Sequence, residues 1–160
     1  MFTWRVGRAY AANKLREIDG VYGGEVAGHY YFRDFNYSDS AMLACLLILK
    51  IISKMKRNGQ TVSEIFSKII TWHNSGEMNF KLQQKDKAIQ HITDYYIKQH
   101  PLNVMDFDGY RIEFENWWFN IRKSNTEPYL RFLAEATTQE LLNSKISKLK
   151  ELLQQGGFFG

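Results

Sequence analysis

The stretch 117-WWFNIRKSNTEPYLRF-132 begins and ends as a bulky apolar strand, with a polar cluster between the two runs. Downstream, YLRFLAEA alternates: Tyr129, Arg131 and Leu133 fall on one side, Leu130 and Phe132 on the other. That period of two predicts a strand with one buried face. The intervening Arg122, Lys123, Ser124, Asn125 and Thr126 carry the side chains that bind anions. A guanidinium fork matches two phosphate oxygens, and short hydroxyls and an amide donate hydrogen bonds. Consecutive backbone N–H groups in such a loop can also form an anion nest. Pro128 holds Glu127 extended and relaunches the strand. On the residues alone, an ordinary hairpin loop rich in Ser and Asn is an equally good reading.

Outward from this pair, the second part of the chain reads strand, helix, several antiparallel strands, helix. MNFKL is a candidate strand. Lys85 to Gln99 has Ala88, Ile89, Ile92, Tyr95 and Tyr96 at helical spacing, ended by Pro101. VMDF turns at Asp108-Gly109 into YRIEF, a strong hairpin signal. Asn116 turns into WWFNI. Glu140 to Leu153 closes as a helix, and the tail GGFFG is expected to fray. The prediction is an α+β layer with a four-stranded antiparallel sheet and two helices.

The first part reads helix, strand, helix, helix, as a piece of an α/β layer. Arg8 to Ile18 predicts a helix stopped by Gly20, and VYGGE a strand running into a glycine-rich loop. HYYFRDF is expected to be extended. Ser38 or Asp39 is expected to cap a helix running to about Arg57, apolar on nearly every face from Met42 to Ile52 and so central and buried. Thr61-Val-Ser-Glu64 has capping-box spacing. TWHNSGE breaks the pattern, which places a domain boundary there: 1–74 for the α/β part, 75–160 for the α+β part. In GGEVAGHYYF, Glu25 is an acceptor able to hold two sugar hydroxyls and His29 can donate or accept. Without context, a glycine-rich turn with an incidental histidine is the simpler reading.

The chain has 160 residues, 44% of them hydrophobic and 15% aromatic, enough for a real core. Net charge is +4 with pI ≈ 9.1. With no run of five basic residues, the long basic patch of a nucleic-acid binder is missing. Neither nucleic acid nor membrane is expected as a partner: Lys50 breaks the apolar run from Ala41 to Leu49, far short of about 20 residues. The N-terminal stretch lacks the apolar core of a signal peptide, and the single Cys45 reads as a small buried hydrophobe, so a cytoplasmic protein is expected. DFDGYR offers two carboxylates, Asp106 and Asp108, a weak Mg²⁺ signal. The histidines at 29, 73, 91 and 100 lack zinc-motif pairing, so no metal site and no catalytic group is assigned.

Together, GGEVAGH and RKSNTEP make the chain resemble the α-D-phosphohexomutase family of phosphomannomutases and phosphoglucomutases. GGEVAGH is similar to that family's sugar-binding GE-x-S-G-H loop, and RKSNTEP to its phosphate-binding R-x-S-N-T-E-P loop. The resemblance implies an incomplete third domain followed by an intact fourth. It assigns sugar binding to Glu25, Ala27, Gly28 and His29, and distal-phosphate binding to Arg122, Ser124, Asn125 and Thr126, with Arg131 as an accessory. The implied ligand is a hexose phosphate or hexose bisphosphate. The family's phosphoserine loop (T-A-S-H-N-P-like) and its Mg²⁺ loop (D-G-D-x-D-R) do not occur in this sequence. Mg²⁺ is therefore expected in the complete enzyme and no cofactor on this chain, which by itself is expected to be inactive. A stand-alone phosphosugar-binding module is the alternative. Oligomerisation through the exposed surface of the incomplete domain is also expected. Ala27 replaces the family's usual serine, a loss of about 1 kcal/mol of binding. Arg8 follows Gly7 where many members have Gly-His.

Overall fold

A computed structural model describes residues 2–124 and 127–159. The chain divides into two compact units, Met1–Ile69 and Ile70–Gly160.

The first unit opens with α1 (Arg8–Glu17), then β1 (Tyr22–Gly24) and β2 (Tyr30–Phe32). A 3-10 turn, Arg33–Phe35, leads to β3 (Ser38–Asp39), α2 (Ala41–Arg57) and α3 (Val62–Ser67). The three strands form an antiparallel sheet in sequence order. Gly23 has a packing reason. A Cβ there would lie 2.9 Å from Leu15 Cδ1, so the bare backbone lets the buried Leu15 of α1 close onto β1. The capping box is present, with Thr61 Oγ1 accepting from Glu64 N at 3.2 Å and Glu64 Oε2 accepting from Thr61 N at 2.7 Å.

Two expectations fail here. Ser40, not Ser38 or Asp39, caps α2, its Oγ accepting from Leu43 N at 3.1 Å. Ser38 and Asp39 instead pair with Phe32 and Tyr31. Second, α2 is not buried. Ala44 is its only buried residue, while Met42, Leu46, Leu47, Ile48, Leu49 and Ile51 are exposed. A three-stranded sheet is too small to cover a helix that is apolar on nearly every face from Met42 to Ile52.

The second unit runs β4 (His73–Asn74), β5 (Met78–Lys81), α4 (Lys85–Ile97), β6 (Asn103–Met105), β7 (Tyr110–Glu113), β8 (Trp117–Lys123), β9 (Tyr129–Ala136) and α5 (Gln139–Gln155). Its sheet has six strands, not four, in the order β4-β9-β8-β7-β6, with β5 also on β9. The excess comes from two short strands that share one edge. β4 pairs with Glu135 and Ala136, and β5 pairs with Tyr129 to Phe132. Ser75 bridges the gap: its N–H donates to Ala134 O at 2.9 Å and its Oγ accepts from Ala134 N at 2.9 Å. The polar TWHNSGE segment thus continues the sheet edge with a side chain in place of a ladder bond.

Helices α4 and α5 contribute Ala88, Ile89, Ile92, Tyr96, Leu142, Leu149, Leu152 and Leu153 to the core that also holds Trp117, Phe119, Ile121, Leu130 and Phe132. Phe119 sits 4.9 Å from Tyr96 and 5.5 Å from Phe132, centroid to centroid. The expected fraying of the tail is wrong at Phe158, which is buried in the same core with its ring 5.6 Å from His91.

Backbone hydrogen bonds that lack apolar cover open at lower free energy than those under a core. Amides of α2 are expected to exchange with solvent faster than those of β8 and β9 in the monomer. Equal protection by hydrogen-exchange mass spectrometry would contradict this.

Candidate functional site

The sugar-loop residues form one tight hairpin between β1 and β2. Gly28 N donates to Glu25 O at 3.0 Å, and Glu25 N donates to His29 O at 2.8 Å. Gly28 has φ +88, a conformation for which glycine is suited. Val26 and Ala27 form the exposed tip.

The Glu25 carboxylate is held in place from two sides. Its Oε1 accepts from Tyr31 OH at 2.8 Å and from Gly7 N at 3.3 Å. Gly7 caps α1, so the carboxylate also lies at a helix N-terminus, where the exposed N–H groups favour negative charge. Both contacts use one oxygen, which leaves Oε2 to accept from a ligand. Tyr31 is fully buried, and burial together with the bond it donates to Glu25 pushes its phenol up to about 12.

His29 is oriented by a residue that sequence reasoning missed. Its Nδ1 lies 2.6 Å from Asp39 Oδ2, and Asp39 Oδ1 accepts from Tyr30 N at 2.9 Å. The backbone bond from Tyr30, then the one from His29, hold the Asp39 carboxyl below its usual range. An ionised carboxylate only accepts, so Nδ1 carries a proton and the other ring nitrogen, Nε2, faces away from Asp39. The positive charge of Arg8 acts electrostatically on both Tyr31 and Asp39, favouring their ionised forms.

Of the residues assigned to phosphate, Arg122 lies near the end of β8, Ser124 just beyond it and Arg131 near the start of β9. Arg122 and Arg131 are directly opposite in register. Ser124 is buried; its N–H donates to Tyr129 O at 2.9 Å, and its Oγ accepts from Glu127 N at 3.3 Å. Asn125 and Thr126 lie outside the described residues. The hairpin turn before β7 presses against this strand. Gly109 has φ +76, and a Cβ there would come within 2.5 Å of Ile121 O and of Arg122 Cβ. Glu77 was another omission: it pairs with both arginines, at 3.3 Å to Arg122 and 3.4 Å to Arg131. No local spacing pointed to it, because the first contact spans 45 residues.

The sugar cluster lies wholly in the first unit and the phosphate cluster wholly in the second. Among the described residues, no group of three or more His, Cys, Asp or Glu is placed to hold a metal ion. No helix among the described residues is long and apolar enough to cross a membrane.

Residues 1–71 match the family model for phosphoglucomutase/phosphomannomutase, alpha/beta/alpha domain III. Residues 77–151 match that for the phosphoglucomutase/phosphomannomutase C-terminal domain. The chain belongs to the phosphoglucomutase/phosphomannomutase family. It is 36% identical over 152 residues to a phosphomannomutase of Vibrio cholerae, covering 94% of this chain and 32% of that protein. It is 37% identical over 147 residues to phosphohexose mutases of Xanthomonas campestris, covering 86% of this chain and 32% of the relative. A phosphoglucomutase/phosphomannomutase family protein of Burkholderia thailandensis shares the fold, with TM-score 0.70 and 23% identity over 95% of this chain and 32% of that one. The chain therefore spans about a third of the length of the relatives it matches.

The Tyr31–Glu25 bond gives an alkaline signature. A phenol whose pKa is raised in the fold favours the neutral, folded state, so its stabilisation is complete below about pH 10 and is lost as pH rises through about 12. The first unit should lose stability over that window, and Tyr31→Phe should flatten the loss. Equal slopes for the two proteins in pH-dependent urea unfolding would contradict this. The depressed Asp39 acts oppositely: its contribution is present above the ordinary carboxylate range and is lost as pH falls through its folded value.

Proposed function

We propose that this chain is the substrate-recognition part of a phosphohexomutase that interconverts hexose 1-phosphate and hexose 6-phosphate through a phosphoserine enzyme and a bisphosphate intermediate. In such a reaction the sugar must be held in both orientations while whichever phosphate is distal stays anchored. Glu25 Oε2 and His29 Nε2 are the groups for sugar hydroxyls, one already tethered by Tyr31 and Gly7 and the other by Asp39. Ala27 and Gly28 bring loop backbone to the ligand. Arg122, Ser124, Asn125 and Thr126, with Arg131 beside them, take the distal phosphate. The observation that carries this reading is the register pair Arg122–Arg131 beside the buried Ser124. Two guanidiniums opposite one another need an anion between them, a place that the half-exposed Glu77 holds and that a phosphate can take. The phosphoryl carrier and Mg²⁺ belong to the complete enzyme, so this chain alone binds phosphosugars without turning them over.

Titration with glucose 1-phosphate, mannose 6-phosphate and inorganic phosphate, followed by NMR, should shift resonances at Ser124 and from Glu25 to His29. Inorganic phosphate should move only the first group. Arg122→Ala should weaken phosphosugar binding by about tenfold or more, the scale of a lost charge-assisted hydrogen bond. Binding unchanged in Arg122→Ala, or mutase turnover by this chain alone, would overturn the assignment. A stand-alone phosphosugar-binding module is the second reading, favoured by the fact that both loops are organised by residues of this chain alone. We also propose that the apolar face of α2 mediates self-association. A mass by light scattering that stays monomeric as concentration rises would contradict that.

A further inference from the structure

We propose that Glu77 is the resident counter-anion of the Arg122–Arg131 pair, occupying the guanidinium positions that a phosphate must take, and that it sets the charge a ligand needs in order to enter. The inference rests on the phosphate-loop reading above. Glu77 sits immediately before β5, whose Asn79 is opposite Arg131, which is in turn opposite Arg122. Its two oxygens divide between the arginines: Oε2 lies 3.3 Å from Arg122 Nη2 and Oε1 lies 3.4 Å from Arg131 Nη1. One anion bridging two guanidiniums is the arrangement a phosphate would adopt.

The backbone that delivers Glu77 is anchored, and its side chain is not. Gly76 N donates to Asn74 Oδ1 at 2.6 Å, and Ser75 is tied to Ala134 on β9. The Glu77 side chain is 40% exposed. Its contacts are longer than the ~2.7–2.9 Å of a strong charge-assisted bond. A pair of this kind holds weakly. The carboxylate is therefore a displaceable occupant that leaves by side-chain rotation alone.

The surrounding charges explain why a weak occupant matters. Lys123 Nζ pairs with Asp86 Oδ1 at 2.7 Å, and Arg131 Nη2 with Glu127 Oε2 at 3.0 Å. Arg122, Lys123 and Arg131 are thus offset by Glu77, Asp86 and Glu127, and Lys85, whose Nζ donates to Glu127 O at 3.4 Å, leaves the unliganded cluster only one positive charge in excess. Among the described residues, Arg131 Nε is buried with no hydrogen-bond partner, so its carboxylates leave it a spare donor. A carboxylate or a singly charged phosphodiester offers the arginines no more charge than Glu77 does. A dianionic phosphate monoester offers more and displaces it. Glu77 is on this account a specificity determinant, selecting terminal phosphoryl groups over carboxylates and over nucleic-acid backbones.

The test compares wild-type protein, Glu77→Gln and Glu77→Asp, titrated with inorganic phosphate, dimethyl phosphate and acetate, with binding read from the Ser124 amide. Glu77→Gln should bind phosphate about two- to fivefold more tightly, the range of an exposed ion pair. It should also acquire measurable acetate and dimethyl phosphate binding, while Glu77→Asp stays near wild type. In the wild type, the Glu77 carboxyl ¹³C resonance should move with the same Kd as the Ser124 amide, a readout that does not depend on any variant folding. Phosphate binding that is unchanged or weaker in Glu77→Gln, or a Glu77 resonance that stays still while Ser124 moves, would overturn the inference and leave the phosphate loop standing. Absence of phosphate binding in both proteins would remove the loop reading and the inference with it.

Discussion

The pairing of β8 with β9 is the constraint on which the second unit depends. Seven residues from Trp117 to Lys123 align with Ala136 to Leu130. In that register Trp117, Phe119 and Ile121 face inward with Leu130, Phe132, Ala134 and Ala136, and they form the floor on which α4 and α5 pack. The same register puts Arg122 beside Arg131 on the other face. A slip of one residue would turn the apolar set to solvent and drive charged side chains into the core. The energy of the core therefore fixes the register of the two arginines.

The first unit reaches its geometry by polar contacts instead. Its sheet has only three short strands, and its buried residues are few. Glu25 and His29 are each positioned by a neighbour, Tyr31 for the one and Asp39 for the other. Tyr31 and Asp39 are themselves paired across β2 and β3. One ladder rung thus supports both Glu25 and His29, even though the α2 helix that follows is left largely uncovered.

Much of this was readable from spacing. The alternation of YLRFLAEA has one strong reading, and β9 follows it residue by residue, with Leu130, Phe132, Ala134 and Ala136 buried. Thr61 and Glu64 make the capping box their spacing announces. Spacing cannot show what depends on neighbours distant in sequence. Ser38, Asp39 and Ser40 are all acceptable helix caps, and only pairing with β2 removes the first two. TWHNSGE has the composition of a loop, and it becomes sheet edge because Ser75 meets Ala134. Phe158 follows two glycines and still packs in the core. In the candidate site, the residues proposed to contact a ligand carry a local motif, whereas Asp39 and Glu77, which hydrogen-bond or pair with them, carry none. The fold class was legible; the number of strands and the supporting carboxylates were not.

The splice at Ser75 has a wider consequence. Because its hydroxyl stands in for a ladder bond, β4 and β5 run along the same edge of β9 without having to stay in phase with each other. The residues between them, Gly76 and Glu77, answer to no core contact: a Cβ at Gly76 would meet nothing within 4 Å, and Glu77 points to solvent and the arginines. A change of length or charge here would move the carboxylate relative to the guanidiniums and leave the hydrophobic interior undisturbed. The joint is a place where ligand preference can drift during evolution while the domain keeps its stability.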